Sequence, residues 1–444
     1  MVQKRRLPYV LWSAALIAAW RSGFSFVSPL LPLLRPSHAP ADERRVLTIS
    51  RAGDAGGAPT WQQLEELLPS SSVPEPRVID SALEPAKPNF NGLTLFRERH
   101  GWCPYSERVW LALEAKGLSY ETVLIDNTGP GSKPRWWGGS TPQIRWEDGK
   151  SQGESLDIIR GLDSKYPDTI QLWPDEEVTR LVNAFRNIFP KGTRPSSRAA
   201  FLFSGYGDQP VWKSEFEKTL DKTDELLGKH KDGPFFYGAK FTAADVAWAP
   251  FLERYSEQLP CLHAGLNPRD AARWPRLAAW YEAMMRQVPA YGARVRGDSI
   301  SWRKVLSMAG YGNAGVAPVL VDSAGETVVD DMTDGDWEAY AEGRPYVATS
   351  PGQEAAARVV RNRAAIATDA VKQGCIEESE VDAALRGLAA TLAGEAEDAE
   401  ASTAVAAAAA YLDERMCVPR DMGLLPARVV RSLASRLRER YGLE

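Results

Sequence analysis

The chain has 444 residues, of which 44% are hydrophobic and 25% are charged. These proportions are typical of globular proteins and exclude a largely disordered or collagen-like chain. The formal net charge of −5 excludes a globally basic nucleic-acid-binding protein, and four cysteines are too few for a disulfide framework. At about 150 residues per domain, the length predicts roughly three domains.

Residues 1–41 are predicted to be a targeting segment, because they contain five basic residues and no acidic one. An uncharged run from Leu7 to Trp20 would form a helix about 21 Å long, too short for a bilayer core of ~30 Å. Such a run is typical of a signal-peptide core. The acid-free segment that follows, opening at Phe24, resembles the two-part plastid-targeting signal of algae with secondary plastids. The secretory pathway and the cytosol remain alternatives, and no stable membrane span is expected in the mature protein.

Residues 42–92 are predicted to be mostly a linker. Thr60 and Gln63 match a capping box, which predicts one short helix up to Leu68. Five prolines between Pro69 and Pro88 favour an extended chain after it.

Residues 93–170 show the element order β-α-β followed by β-β-α, which is typical of a small α/β sandwich. Gly117 and Pro167 end the two predicted helices. The predicted strands lie at 93–96, 120–125 and 143–146, with a hairpin turn at 147–149, and the predicted helices lie at 103–116 and 155–166.

Residues 171–300 show only helical periodicity, with helices predicted near 175–189, 212–230, 242–259 and 274–288. Thr242 and Asp245 match a second capping box ahead of an apolar run. The sequence therefore predicts an all-α domain that follows the α/β domain.

Residues 301–444 are predicted to form a helical extension of unknown role. The sequence predicts a strand pair at 317–322 and 327–330, and helices at 352–372, 377–394, 399–415 and 424–441. The run from Ala404 to Ala410 has high helix propensity but little to bury. The many arginines of this extension are interpreted as solvated helix faces, and no nucleic-acid partner is expected.

Cys103 is the strongest candidate for a catalytic residue, because it lies between a predicted strand and a predicted helix. A helix N-terminus favours a negative charge, so the sequence predicts a thiolate with a depressed pKa. Pro104 loses no needed hydrogen bond at the first helical turn. Ser106 replaces the second cysteine of a C-x-x-C pair, so an outside thiol must resolve any mixed disulfide at Cys103. The remaining cysteines are interpreted as buried and inert: Cys261, Cys375 and Cys417.

Two further motifs precede secondary structure elements in the α/β domain. Pro142 opens a strand after Thr141, and in thioredoxin-like sheets such a proline is cis and faces the active cysteine. The backbone of the residue beside that proline then pairs with an extended peptide. Ser155 can cap a helix whose N–H groups would hold a ligand carboxylate, and Glu154 can accept a ligand ammonium. An ordinary turn proline and a plain helix cap remain alternatives.

Other motifs are not interpreted as functional sites. Residues 310–315 fit the pattern G-x-G-x-x-G but follow no predicted strand and open no helix, so no nucleotide is expected. The four histidines lack metal-ligand spacing, so no metal is expected. His100 could tune the pKa of Cys103, but we interpret it as a surface histidine.

Several motifs in one order resemble cysteine-type glutathione transferases of the omega, lambda and dehydroascorbate reductase classes. They are Cys103–Val109, Lys133–Trp137, Gly153–Ile159, Gly233–Phe236 and Phe241–Asp245, and Gly153–Ile159 resembles the lambda class most. The resemblance covers residues 93–300. It implies an α/β thioredoxin-like domain followed by an all-α glutathione-transferase C-terminal domain, and the helical extension comes in addition.

The resemblance also implies a role for each matching residue. Cys103 corresponds to the thiol that forms a mixed disulfide with glutathione. Tyr105 and Lys133 would contact glutathione, and Thr141 would pair with its backbone beside the cis proline Pro142. The γ-glutamyl end of glutathione would be held by Glu154 and Ser155.

The implied activity is a glutathione-dependent thiol transfer or reduction, with glutathione as co-substrate and a small or protein disulfide or electrophile as second substrate. Alternatives are dehydroascorbate reduction by the same cysteine and a non-catalytic scaffold whose extension is the working part. A membrane-inserting relative of the intracellular chloride channel proteins is a more distant alternative. A homodimer is a further expectation, and residues 93–300 are expected to fold alone.

Overall fold

The computed structural model describes residues 58–68, 74–79, 87–126, 133–188, 213–309 and 332–443. The predicted targeting segment, the glycine motif at 310–315 and the predicted strand pair at 317–330 lie outside these residues. Within the described ranges, no helix is both long and apolar enough to cross a membrane.

In the described part of the chain there are five strands: β1 (Arg77–Val78), β2 (Thr94–Glu98), β3 (Glu121–Ile125), β4 (Gln143–Arg145) and β5 (Ser151–Gln152). They form one mixed sheet in the order β1-β3-β2-β4-β5. Strands β1 and β2 run parallel to β3, whereas β4 pairs antiparallel with β2 and β5. Phe96, in the middle of β2, lies opposite Gln143 at the start of β4, and Gln152 at the end of β5 lies opposite Ile144.

Apolar side chains cover both faces of this sheet. One face packs against two helices through a core that includes Leu95, Val109 and Ile158. The other face holds a smaller cluster around Phe96 and Val123. The two helices are α2 (Pro104–Ala115) and α3 (Ser155–Lys165), at the positions that the sequence predicts.

The second domain is all-α, as predicted, and it shares one continuous core with the first. The Asp245 carboxylate accepts the N–H groups of Thr242 and Phe236 and the indole N–H of Trp280, at 2.9, 3.1 and 3.0 Å. This confirms the predicted capping box. The four predicted helices are α4 (Glu176–Ile188), α5 (Lys213–Leu227), α6 (Ala243–Leu262) and α7 (Pro275–Gln287). Two elements that the sequence did not predict follow them: a π-helical turn (Ala290–Val295) and α8 (Ser299–Ala309).

Residues 332–443 form the third unit of the structure, which is helical and has its own core. We call it the C-terminal domain. The alanine-rich run differs from the prediction, since Ala406, Ala408 and Ala409 are buried. Small side chains let helices approach closely, and a Cβ at Gly387 would lie only 2.7 Å from Val405. The helices are α9 (Asp334–Ala341), α10 (Pro351–Lys372), α11 (Val381–Ala393), α12 (Thr403–Arg415) and α13 (Leu424–Tyr441).

Several arginines of the C-terminal domain form internal ion pairs, in contrast to the predicted solvated faces. Arg431 contacts Asp298 at 2.6 Å and Asp413 at 2.7 Å, which connects α13 to the all-α domain and to α12. Arg358 is buried and contacts Glu354 at 3.0 Å. These side chains stabilise packing between elements and are not an open basic surface.

Part of the predicted linker is folded structure. Helix α1 (Trp61–Leu67) has the predicted capping box at Thr60. Leu64 is only 1% exposed and belongs to the core of the C-terminal domain, and the Trp61 indole donates a 2.7 Å hydrogen bond to Asp382. Strand β1 was not predicted at all, because two residues give no periodicity to detect.

Candidate active site

Cys103 occupies the N-cap position of α2, directly before Pro104. The side chain is partly exposed, and its Sγ lies 3.9 Å from the carbonyl oxygen of Thr141. The Thr141–Pro142 peptide bond is cis, as expected. The thiol therefore faces the chain segment that precedes β4.

Glu154 and Ser155 lie at the same end of the sheet, because β5 ends beside the start of β4. Glu154 has φ +60° and is the one non-glycine residue in the described ranges with a positive φ. Such a conformation costs roughly 1–3 kcal/mol and is often found at ligand sites. The predicted cap differs in detail: Glu154 holds the N-cap position, and Ser155 is the first helical residue. Among the residues that the structure describes, none caps α3 with its side chain.

Tyr105 and Lys133, the other two residues predicted to contact glutathione, lie in different parts of the structure. Tyr105 is half-buried and faces the all-α domain, with its ring 6.1 Å from that of Phe251. Lys133 is exposed and lies four residues before Trp137, whose ring is 5.2 Å from that of Phe96, on the sheet face opposite α2. The structure thus brings Cys103 together with the segments 141–142 and 154–155, whereas the described contacts do not join Lys133 to them.

Glu98, at the end of β2, holds residues 99–103, which lead to α2 and which we call the Cys103 loop. One carboxylate oxygen accepts the backbone N–H of Cys103 at 2.9 Å, and the other accepts the N–H of His100 at 2.6 Å. Glu98 is only 7% exposed. Glu98 was not predicted as a site residue, although an acidic residue at the end of a strand, five residues before Cys103, was a usable signal.

Arg254, from the middle of α6, ties the same loop to the all-α domain. Its guanidinium donates to the carbonyl oxygen of Trp102 at 3.2 Å and to the Glu107 carboxylate at 2.8 Å. It also lies 4.0 Å from the ring of Trp302. The Arg254 and Glu107 side chains are 1% and 4% exposed, so this ion pair is buried beneath the Cys103 loop.

The prediction of a depressed pKa for Cys103 is wrong in this structure. Burial raises the pKa of the Cys103 thiol, and the nearby Glu98 carboxylate raises it further. Hydrogen bonds from Ser106 and Tyr105 at the start of α2 lower the pKa but do not outweigh the burial. The helix N-terminus therefore acts in the predicted direction and is overcome by desolvation.

His100 is not the surface histidine that the sequence analysis assumed. Both ring nitrogens are buried, and the ring lies 5.0 Å from that of Trp102. Burial, together with Arg420 and Arg99, lowers the pKa of His100 to about 3. The imidazole is therefore neutral near pH 7 and does not supply a positive charge to Cys103.

The sequence also led to expectations for the other three cysteines and for metal binding. Cys261 and Cys417 are buried, as expected, whereas Cys375 is exposed, which corrects the prediction that it is buried. No group of three or more His, Cys, Asp or Glu side chains in the described ranges could hold a metal ion.

Comparisons with known proteins identify the family. Residues 102–165 match the model of the glutathione S-transferase N-terminal domain, and residues 192–283 match that of the C-terminal domain. Glutathione S-transferase L1 of Arabidopsis thaliana is 30% identical over 42% of this chain and 76% of its own length. From the same plant, the chloroplastic glutathione S-transferase L2 is 28% identical over 51% and 72%. Glutathione S-transferase DHAR2, also of Arabidopsis thaliana, is 32% identical over 34% of this chain and 66% of its own length. The chain belongs to the glutathione S-transferase family.

Proposed function

We propose that the protein is a glutathione-dependent thiol transferase that uses Cys103 as its nucleophile. The observation that supports this proposal best is the position of Cys103 at the start of α2, 3.9 Å from the Thr141 carbonyl oxygen and beside the cis proline. Ser106 follows where a dithiol enzyme would have its second cysteine. Glutathione is then both the ligand and the outside thiol.

The segments around Cys103 suit an extended γ-glutamyl tripeptide. The Thr141 backbone would pair with the tripeptide backbone, which fixes the glutathione sulfur near Cys103. The N-terminus of α3, which no side chain caps, would take the γ-glutamyl carboxylate, and exposed Glu154 would accept the ammonium. The positive φ of Glu154 is consistent with a backbone held for ligand binding.

The reaction consists of two thiol–disulfide exchanges. The Cys103 thiolate attacks the glutathione sulfur of a glutathionylated substrate, a new S–S bond forms, and the substrate thiolate leaves with the electron pair and takes a proton. A second glutathione thiolate then attacks the glutathione sulfur of the Cys103 adduct. Glutathione disulfide leaves and the Cys103 thiolate is restored. A serine at position 106 cannot perform the second step, so the adduct must wait for glutathione.

The raised pKa of Cys103 predicts how this activity depends on pH. The thiolate is the minor form near pH 7, because burial and Glu98 both favour the neutral thiol. The rate of the first exchange should therefore rise through the alkaline range until the thiol is ionised.

Dehydroascorbate reduction is the second candidate, favoured by the similarity to the relative named DHAR2. Two glutathione molecules would supply the two electrons, and the same Cys103–glutathione disulfide would form and be resolved. A non-catalytic scaffold would bind glutathione without turnover. Delivery to a plastid is a separate proposal, supported by the composition of residues 1–41 and by the chloroplastic relative.

A substrate panel on the full chain tests the proposal. Wild type, Cys103→Ser and Cys375→Ser are assayed with glutathione and hydroxyethyl disulfide, dehydroascorbate or an aryl halide. We expect disulfide exchange in wild type and in Cys375→Ser, which changes an exposed cysteine, and none in Cys103→Ser. Faster turnover of dehydroascorbate would favour the second candidate. Full exchange activity in Cys103→Ser would exclude Cys103 as the nucleophile.

A further inference from the structure

The C-terminal domain reaches the Cys103 loop through the segment Met416–Gly423, which joins α12 to α13 and which we call the tail loop. We propose that the tail loop is a positioning element for Cys103, so that the C-terminal domain is part of the catalytic unit. This inference rests on the proposed function of Cys103.

Two contacts join the tail loop to the residues directly before Cys103. Gly101, with φ +77°, lies beside Arg420, since a Cβ added at Gly101 would be 3.7 Å from the Arg420 Cβ. Cys417 in the tail loop has Trp102 as a neighbour: burial raises the pKa of the Cys417 thiol, and the Trp102 side chain acts in the opposite direction. The tail loop therefore lies along residues 101–102, one residue away from the nucleophile.

The all-α domain holds the tail loop on its other side. The backbone N–H of Val418 donates a 2.8 Å hydrogen bond to the Ser301 hydroxyl. A Cβ at Gly297 would lie 2.8 Å from the Val418 carbonyl oxygen, and a Cβ at Gly423 would clash with the carbonyl of Ala293. Two glycines thus permit backbone contacts that side chains would block, which fixes the tail loop between the all-α domain and the Cys103 loop.

Buried charges keep the tail loop in one conformation. Asp421 is 1% exposed and accepts two hydrogen bonds from Arg420, at 2.8 and 2.7 Å. It also accepts the N–H of Cys417 at 2.8 Å. A bidentate, buried pair of this kind has a defined geometry. Arg420 is also attracted to Glu98, the residue that holds the N–H of Cys103.

The Cys103 loop therefore has three supports: Glu98 in its own domain, Arg254 in the all-α domain, and the tail loop. A nucleophile must be placed closely against the sulfur that it attacks, and a misplacement of about 1 Å can slow a reaction about a hundredfold. These tail-loop neighbours are Glu98 and residues 101–102, and they do not include the segments 141–142 or 154–155. Disturbing the tail loop should therefore slow turnover without weakening glutathione binding.

The test uses variants of the full chain. Arg420→Met with Asp421→Asn removes both buried charges together, so neither remains unpaired. Arg420→Lys retains the charge but loses the bidentate geometry. Arg438→Met is the matched control, because Arg438 pairs with Asp413 in the same domain and away from the Cys103 loop. Thermal unfolding of each variant fixes an assay temperature at which all are folded.

We expect the double variant to lower kcat for hydroxyethyl disulfide about tenfold or more, with the KM for glutathione changed less than about twofold. The alkylation rate of Cys103 by iodoacetamide should change in the same variant. Arg420→Lys should lie between the double variant and wild type, and Arg438→Met should match wild type.

Two results would overturn the inference in distinguishable ways. An inactive wild type would refute the proposed function, and the inference with it. An active wild type with unchanged kcat and unchanged Cys103 alkylation in the double variant would refute the positioning role alone. If the double variant does not fold, Arg420→Lys decides: wild-type kcat and alkylation in that variant would equally refute it.

Discussion

Arg254→Met should destabilise the protein strongly, because it removes one partner of a buried ion pair. The guanidinium contacts Glu107 at 2.8 Å, with both side chains nearly inaccessible to solvent. Breaking such a pair from one side costs about 3–5 kcal/mol, since the other charge is left buried and unpaired. The double variant Arg254→Met/Glu107→Gln removes that charge and should recover about half or more of the lost free energy of unfolding.

The loss of stability in Arg254→Met should also depend on pH. Burial raises the pKa of Glu107 well above its usual range, Glu253 acts in the same direction, and Arg254 opposes both. Without Arg254 the folded-state pKa rises further above the unfolded value, so stability present at low pH is lost as pH rises. Urea unfolding at pH 5 and pH 8 should show a larger deficit for Arg254→Met at pH 8. A deficit below about 1 kcal/mol, or no recovery in the double variant, would refute this account.

Three further predictions follow from the same contacts. Glu98→Gln should lower the pKa of Cys103 and speed its alkylation by iodoacetamide near pH 7, because the Glu98 carboxylate raises that pKa. The control Asp157→Asn, on the exposed face of α3, should leave the alkylation rate unchanged, and an unchanged rate in Glu98→Gln would contradict the role given to Glu98. Leu64→Ala should lower the free energy of unfolding by about 2–5 kcal/mol, and partly exposed Leu68→Ala by less; equal effects would mean that α1 is not part of the core. The sequence predicts that residues 93–300 fold alone, but this fragment should aggregate because it lacks Trp302, whose buried indole donates a 2.6 Å hydrogen bond to Glu253. A soluble fragment that unfolds cooperatively in urea would show that the prediction from sequence was right.

Local patterns in the sequence were sufficient to predict most elements of the fold. The Cys103-Pro104 step places the start of α2, and the capping box at Thr242 places the start of α6. Both signals lie within a few residues of the element that they define. Strand β1, with two residues, and helix α9, with eight, escaped prediction because such short elements contain too few periodic positions. Helix α8 is as long as α3, but it spans the domain boundary that the sequence predicts at residue 300, so its periodicity was divided between two domains.

The environment of Cys103 could be predicted only in part. Its helix N-terminus is a local feature, but the pKa of its thiol is decided by burial and by Glu98, which depend on how the loop folds back. Arg254 and Arg420 reach the loop from other domains. No spacing rule connects residues so far apart along the chain, so their roles emerge only from the packed structure.

The most direct test of the central claim is to detect the Cys103–glutathione disulfide itself. The Cys375→Ser variant, which lacks the exposed cysteine, is incubated with glutathione disulfide at pH 8.5 and mapped by peptide mass spectrometry. We predict one glutathione adduct on Cys103 that disappears when reduced glutathione is added. An unmodified Cys103 under these conditions, or an adduct only on Cys261 or Cys417, would contradict the account.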